Sequence, residues 1–309
     1  MIYLIFFLSV SLSLIIGNPI IGYLRNLKVK QSFRQEGPKE HIVSKKDTPT
    51  LGGLIFLIPI CGISLGLFVF EKKFQTFDFF MINFVVISMA LTGFIDDFLK
   101  VSNKSNKGLS GKLRLFIQLL ISILLAFVYK EKSLLFIPWL FLVFAGSCNA
   151  YNLTDGLDGL VSTISLVSFL GLMVLAFIAN KIEIGIYAIV FLGSLSGFLF
   201  FNKYPAKIFM GDTGSLAIGA AVGGIAIILG QELYLIFFSI IPIIETISVI
   251  LQVIYFKATK KIYGEGRRIF KMTPIHHHFE LSGLSEQKIV RVFFLVQCLF
   301  TMVGIVILM

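Results

Sequence analysis

Charged residues are scarce in this chain: Asp, Glu, Lys and Arg make up only 14% of its 309 residues, whereas hydrophobic residues make up 57%. The mean hydropathy is +0.92. A typical soluble domain carries charge on about 25% of its residues. The composition therefore excludes an ordinary water-soluble domain and predicts an integral membrane protein.

Cysteine and histidine are also scarce, with three and four residues respectively. Cys61, Cys148 and Cys298 fall within or at the end of separate apolar runs and form no CxxC pair, so we interpret them as membrane-core residues. Three histidines are consecutive and show no HxxxH or HExxH spacing. A zinc site is therefore not predicted.

Long apolar runs recur along the chain, and a bilayer-spanning helix needs about 20 such residues. The runs lie at 2 to 22, 51 to 70, 79 to 99, 112 to 130, 134 to 148, 159 to 179, 184 to 201, 213 to 230, 232 to 256 and 289 to 309. We predict an all-α polytopic membrane protein of ten transmembrane helices, forming one domain over residues 1–309. The short run at 134 to 148 predicts a tilted, broken or displaced span. The first run has no preceding basic residues, so we expect a retained helix and not a signal peptide.

Basic residues are distributed very unevenly between the two sides of this topology. Of the 27 lysines and arginines, the loops on one side hold only Lys72, Lys73, Lys130, Lys132 and Lys181. The positive-inside rule then places both termini outside the cytoplasm. Because the basic residues follow the topology, the net charge of +10 does not predict a nucleic acid as partner.

Five aspartates fall at the cytoplasmic edges of the predicted spans: Asp96, Asp97, Asp155, Asp158 and Asp212. A carboxylate at the bilayer centre costs roughly 2.5–3.5 kcal/mol on insertion scales, so the interface is where these groups stay ionised. Their grouping opposite basic loops predicts a functional site on the cytoplasmic face.

The segment GFIDDFLK has two open interpretations. Asp96 and Asp97 form a helix-end ion pair with Lys100, or they bind a divalent cation or take a proton while Lys100 and Lys112 attract phosphate. The segment FMGDTGS is open in the same way. Asp212 either caps a helix or holds Mg²⁺ against a phosphate, and Phe209 either packs or stacks on a base.

Two further segments place polar groups in apolar surroundings. If NLTDGLDGL is helical, Asn152, Asp155 and Asp158 share one face of that helix. In the span at 232 to 256, Pro242 predicts a kink. Glu245 in the same span is a structural partner or part of a functional site.

An ordered set of motifs resembles one enzyme family. The set comprises TPTLGG, GFIDDFLK, GLSGK, NLTDGLDGL, YPAKIFMGDTGS and PIHHHFE. Together they resemble the phospho-N-acetylmuramoyl-pentapeptide-transferases, also called translocase I, within the polyprenyl-phosphate sugar-1-phosphate transferases. The PIHHHFE form resembles the muramoyl-pentapeptide branch. Departures are small, such as Leu51 where methionine is common.

The resemblance implies a reaction at the cytoplasmic face of a bacterial cytoplasmic membrane. Family members transfer phospho-N-acetylmuramoyl-pentapeptide from UDP-MurNAc-pentapeptide to undecaprenyl phosphate, giving lipid I and UMP, with Mg²⁺ as cofactor. It implies that Asp212 holds Mg²⁺, with Asn152 as a second ligand, and that Asp96 takes the proton of the lipid phosphate, supported by Asp97. Lys100 and Lys112 anchor that phosphate. The residues implied for the donor are Lys45, Thr50, Asp155, Asp158, Phe209 and Gln252 on the nucleotide and sugar side, and His276, His277 and His278 at the pyrophosphate or the sugar-peptide part.

Several alternatives stay open on the sequence. One is a related transferase that uses UDP-N-acetylglucosamine, which the HHHFE form disfavours. Another is a secondary transporter, although transporters place binding groups near the bilayer midplane and these acids lie at one face. Direct attack by the lipid and a covalent aspartyl intermediate are both compatible with the motifs. A homodimer is compatible with the motifs as well.

Overall fold

In the computed structural model, the described residues are 1–27, 29, 48–103, 108–129 and 134–309, and within them the regular structure is helical. The long helices are α1 Ile2–Asn26, α2 Gly53–Phe70, α3 Phe77–Ser102, α4 Gly111–Tyr129, α5 Ile137–Thr154, α6 Leu160–Ile178, α7 Ile182–Asn202, α8 Gly211–Ile228, α10 Ile240–Tyr263 and α12 Glu286–Leu308. Two short helices, α9 Leu235–Phe238 and α11 Ile275–Glu280, complete the order together with three 3₁₀ turns. The all-α prediction is confirmed for the described residues.

Nine of these helices are long and apolar enough to cross a membrane, counting only the described part of the chain. The remaining long helix, α5, is the one whose run was predicted to be short. It begins at Ile137 and continues past Cys148 to Thr154. Its last turns carry Asn149 and Asn152, which lower its apolarity and give the site one of its side chains.

Helix α8 forms the centre of the bundle, and nearly all of its residues are buried. It packs against α3 and α5, while α7 packs against α1 and α6 on another side. Its sequence GDTGSLAIGAAVGGIAII consists largely of glycine, alanine and other small residues. Small side chains let neighbouring helix backbones approach closely, which is how membrane helices pack without a hydrophobic driving force between them.

The predicted kink at Pro242 is wrong, because the chain breaks three residues earlier. Ser239, at φ −140° and ψ 31°, separates α9 from α10. Pro242 then falls in the first turn of α10, where its missing N–H costs no helical hydrogen bond. The side chain of buried Gln297 on α12 accepts a hydrogen bond from Ile241 N at 3.2 Å. A backbone donor released by the break therefore has a partner inside the bundle, as membrane-spanning segments require.

Candidate active site

Three of the predicted aspartates meet at one end of the bundle. Asp96 and Asp97 lie near the C-terminal end of α3, and Asp212 lies in the first turn of α8. One carboxylate oxygen from each lies within 4.8 Å of the other two. Asp96 and Asp97 are buried, with 1% and 3% of their surfaces exposed. Two motifs more than 100 residues apart in sequence therefore build one carboxylate cluster, which we call the Asp cluster.

Asp97 caps helix α8. Its Oδ1 accepts a hydrogen bond from Asp212 N at 3.1 Å, and its Oδ2 accepts from Thr213 N at 2.9 Å and from the Thr213 hydroxyl at 2.7 Å. The first N–H groups of a helix have no partner within the helix, so a carboxylate from a neighbouring helix stabilises this end. Gly211 has φ +75°, and an added Cβ would lie 2.5 Å from Asp97 Oδ2. Glycine is therefore required for this close approach.

Asp96 points to a different set of partners. Its Oδ1 accepts a hydrogen bond from Leu109 N at 2.7 Å, and its other oxygen pairs with Lys100. The two adjacent aspartates therefore make different contacts. Asp97 stabilises the first turn of α8, whereas Asp96 pairs with Lys100, which also contacts Asp212.

Asp212 is bound by three side chains from three helices. Its Oδ2 lies 3.0 Å from Lys100 Nζ and 3.0 Å from Arg114 Nη1, and its Oδ1 accepts a hydrogen bond from the Asn152 amide nitrogen at 2.8 Å. The same amide nitrogen donates to the Ser215 hydroxyl at 2.9 Å. A carboxylate only accepts hydrogen bonds, so the amide group of Asn152 turns its NH₂ toward Asp212.

Sequence reasoning missed Arg114. It falls just inside the apolar run at 112 to 130, and a charged side chain at that depth is itself a signal of function or pairing. Lys112, predicted to anchor phosphate, lies two residues earlier and is exposed at the start of α4. Arg114 is thus the cation of α4 that the structure places on Asp212.

The TPTLGG segment lies along the chain that leads into α8. Phe209 N donates to Pro49 O at 2.9 Å, and Gly52 N donates back to Phe209 O at 2.8 Å. Thr50 is buried with 4% of its surface exposed, and a Cβ on Gly211 would lie 2.9 Å from its hydroxyl. Two segments of the motif set are therefore hydrogen-bonded neighbours at the Asp cluster.

The condition under which Asn152, Asp155 and Asp158 would share one helix face is not met, because α5 ends at Thr154. Asp155 and Asp158 lie in the following turn and hold neighbouring loops. Asp155 accepts a hydrogen bond from Gly211 N, and burial close to Asp212 and Asp97 raises the pKa of the Asp155 carboxyl to about 8.

Asp158 fixes the loop that precedes α8. It is buried and accepts a hydrogen bond from Ala206 N at 2.9 Å. The side chain of Asn202, the last residue of α7, donates to Ile208 O of this loop at 3.0 Å and accepts from the Ser162 hydroxyl at 2.7 Å. These contacts set the path of the chain toward Phe209, whose side chain is partly buried.

Gln252 holds the loop that follows α10. Its side-chain oxygen accepts hydrogen bonds from Ile269 N at 2.9 Å and Phe270 N at 3.0 Å, and its nitrogen donates to Phe270 O at 3.0 Å. His278 extends this scaffold, because its Nδ1 accepts a hydrogen bond from Lys271 N at 3.2 Å.

The other two histidines of the PIHHHFE segment each pair with a carboxylate. His277 Nδ1 lies 3.1 Å from Glu280, and His276 Nδ1 lies 3.0 Å from the buried Glu245. The His276 ring also lies against Gly156 of the DGLDG turn. The structure therefore brings the PIHHHFE segment against NLTDGLDGL.

Comparison with known proteins identifies the family of this chain. A family model described as glycosyl transferase family 4 matches residues 79–230, which include the Asp cluster. The phospho-N-acetylmuramoyl-pentapeptide-transferase of Halalkalibacterium halodurans is 41% identical, over 96% of this chain and 94% of the relative. The protein of that name from Geobacillus sp. (strain WCH70) is 42% identical, over 96% and 95%. That of Listeria welshimeri is 44% identical, over 90% of each. This chain belongs to the phospho-N-acetylmuramoyl-pentapeptide-transferase family.

The resemblance predicted from the ordered motifs is thereby confirmed. Of the site residues predicted from the sequence of this transferase, the structure brings seven together around one end of α8: Asp96, Asp97, Lys100, Asn152, Asp155, Thr50 and Asp212. Lys45 lies outside the described residues. Gln252 and His278 support the last loop through backbone contacts, and their predicted contacts with the donor stay predictions.

Proposed function

We propose that this chain transfers phospho-N-acetylmuramoyl-pentapeptide from UDP-MurNAc-pentapeptide to undecaprenyl phosphate, giving lipid I and UMP. The reaction takes place at the cytoplasmic face of the bacterial cytoplasmic membrane, and both termini lie on the opposite side. A nucleotide-linked donor arrives from the cytosol and a lipid phosphate arrives within the inner leaflet, so the two meet only at that interface.

One observation carries the proposal: Lys100 lies between Asp96 and Asp212, with its Nζ 3.0 Å from Asp212 Oδ2. A cation flanked by two carboxylates at the end of a membrane bundle suits the transfer of a phosphate group. The cation binds the anionic phosphate, and a carboxylate takes a proton or binds a metal ion.

The Asp cluster also fits Mg²⁺. Hard cations prefer oxygen ligands, and Mg²⁺ commonly takes one or two protein carboxylates together with substrate phosphates. Three carboxylates face Lys100 and Arg114, so a divalent cation offsets the excess negative charge. Asp212 would hold the ion, and the Asn152 amide, whose NH₂ faces Asp212 in this structure, would turn to offer its side-chain oxygen as the second ligand. When bound, Mg²⁺ neutralises charge on the pyrophosphate and on the leaving UMP.

Asp96 acts on the acceptor. It takes the proton of the lipid phosphate, or assists its attack, while Lys100 binds that phosphate and Lys112 attracts it to the site. Asp97 supports Asp96 indirectly, because its oxygens hold the first turn of α8 and so fix where Asp212 lies. Arg114 orients the Asp212 carboxylate through their contact at 3.0 Å.

The donor occupies the neighbouring surface. Thr50, Asp155, Asp158 and Phe209 line its nucleotide and sugar side, together with Lys45 and Gln252. His276, His277 and His278 lie toward the pyrophosphate and the sugar-peptide part. The contact between the PIHHHFE segment and the DGLDG turn supports a single donor surface built from both motifs.

The decisive experiment measures UMP release by the purified protein with UDP-MurNAc-pentapeptide, undecaprenyl phosphate and Mg²⁺. We expect release that needs all three components and that stops when a chelator removes the metal. UDP-N-acetylglucosamine serves as the competing donor. Preference for that donor supports the related hexosamine transferase instead, and absence of UMP with either donor contradicts the proposal.

A further inference from the structure

Glu245 is a fully buried carboxyl group inside an apolar helix, and none of the roles described above uses it. Its Oε1 lies 3.0 Å from His276 Nδ1, and its Oε2 lies 3.4 Å from His276 N. An unpaired carboxylate within a membrane span costs several kcal/mol. The contact with His276 gives this group its partner and links α10 to α11.

The pairing sets the orientation of the histidine ring. A carboxylate oxygen only accepts hydrogen bonds, so Nδ1 carries the proton that faces Glu245, and the lone pair of a neutral ring lies on Nε2. His276 is 0% exposed, and its Nε2 has no hydrogen-bond partner among the described residues. Buried polar atoms without a partner are rare, and each needs a specific reason to lie where it does.

The ring lies against the DGLDG turn, residues 155–159. A Cβ added to Gly156 would overlap His276 Nε2, so only glycine leaves room for the imidazole at this point. Asp155 precedes Gly156 directly, and its carboxylate accepts a hydrogen bond from Gly211 N next to the Asp cluster. The contacts therefore run without interruption from Glu245 through His276 and Gly156 to Asp155.

We propose that Glu245 is a positioning residue for the nucleoside diphosphate sugar donor. By orienting His276 it holds the DGLDG turn in place, and with it the wall of the donor site. This inference rests on the proposed function, because it takes Asp155 and Asp158 as donor-side residues. The proposal predicts that loss of the Glu245 carboxylate weakens binding of the donor and leaves binding of the lipid acceptor unchanged.

The test compares Glu245→Ala with Glu245→Gln. Glutamine keeps an oxygen that accepts the Nδ1 proton, whereas alanine removes it. We expect Glu245→Ala to raise the KM for UDP-MurNAc-pentapeptide about tenfold and to leave the KM for undecaprenyl phosphate within about twofold of wild type. Glu245→Gln should restore the donor KM to within about threefold of wild type.

A second variant tests the coupling to the histidine. His276→Asn keeps an N–H donor near the position of Nδ1 but removes the ring that packs on Gly156. It should raise the donor KM, and the double variant with Glu245→Ala should be little worse than the more affected single variant, because both act through one contact. If Glu245→Ala does not yield folded protein, Glu245→Gln and His276→Asn carry the test, with donor KM near wild type for the first and raised for the second.

Asp78→Asn is the matched control. Asp78 accepts a hydrogen bond from Tyr129 at 2.9 Å and pairs with Lys181 at 2.7 Å. It lies near the N-terminal end of α3, roughly 27 Å along the helix from Asp96 at 1.5 Å per residue. The control should lower the thermal midpoint and leave both KM values unchanged.

Equal shifts of both KM values, strictly additive effects in the double variant, or a glutamine variant no better than alanine would each overturn the positioning role. If wild type releases UMP in the same assays, such results contradict this inference alone. A wild type without UMP release contradicts the proposed function as well.

Discussion

Thr213 donates two hydrogen bonds to one oxygen of Asp97, from its backbone N at 2.9 Å and from its hydroxyl at 2.7 Å. The other Asp97 oxygen accepts from Asp212 N. These hydrogen bonds distinguish the two adjacent aspartates. In the sequence, Asp96 and Asp97 have the same chemistry, but in the structure Asp97 stabilises the first turn of α8.

Asp97→Asn and Asp96→Asn should therefore fail in different ways. In Asp97→Asn an amide replaces a carboxylate that accepts three hydrogen bonds, so we expect the free energy of unfolding to fall by about 2 kcal/mol or more. Asp96→Asn should keep a thermal midpoint near wild type and bind the nucleotide donor, but lose turnover. Thermal unfolding, donor binding and UMP release measured on both variants check this. A failure of Asp96→Asn to bind donor would contradict its role as proton acceptor.

Arg114 should matter for catalysis although it lies inside an apolar helix. Its contact with Asp212 at 3.0 Å orients the carboxylate that we assign to Mg²⁺. We expect Arg114→Ala to lower kcat about 10- to 100-fold, the range typical for groups that orient metal ligands. Lys261→Ala, an exposed charge at the end of α10, is the control and should leave kcat unchanged. Similar kcat values for Arg114→Ala and Lys261→Ala would contradict a role of Arg114 in catalysis.

The raised pKa of the Asp155 carboxyl predicts that the stability of the protein depends on pH. This pKa is raised to about 8 by burial and by the neighbouring Asp212 and Asp97. The folded state then keeps the proton where the unfolded state has lost it, so the stability from Asp155 is complete below the unfolded pKa of about 4. It is lost as pH rises through about 8. Thermal midpoints in metal-free buffer from about pH 5 to about pH 9 should fall more steeply for wild type than for Asp155→Asn. Parallel curves would contradict this assignment.

The proposed orientation can be tested by labelling in intact cells. With Cys61, Cys148 and Cys298 replaced by alanine, a single cysteine is introduced by Lys72→Cys or by Lys261→Cys, both at exposed positions. A membrane-impermeant maleimide should label the first, and should label the second only after the membrane is opened. The reverse pattern would invert the topology.

The sequence predicts most of the helices because the signal is local: about 20 apolar residues in a row specify a span whatever its neighbours are. The break at Ser239 escaped prediction because it depends on a partner 56 residues away, where Gln297 satisfies Ile241 N. Pro242 was the residue from which a kink was predicted, but in the first turn of α10 a proline does not interrupt the helix.

The location of the site was predictable because a group of aspartates at one edge of the predicted spans indicates a functional site. The roles of individual residues required tertiary structure. The sequence could not distinguish Asp97 as the cap of α8 from Asp96, nor reveal that Gln252 serves the backbone of residues 269 and 270. It also gave no partner for Glu245, because the contact with His276 spans 31 residues and a loop.

The lipid product itself is the most direct test of this reaction. Purified wild type should convert UDP-MurNAc-pentapeptide and undecaprenyl phosphate, in the presence of Mg²⁺, into a lipid-linked phospho-MurNAc-pentapeptide that mass spectrometry detects together with an equal amount of UMP. Asp212→Asn should be folded and form neither. Near-normal product from Asp212→Asn, or no lipid product from folded wild type, would contradict the account.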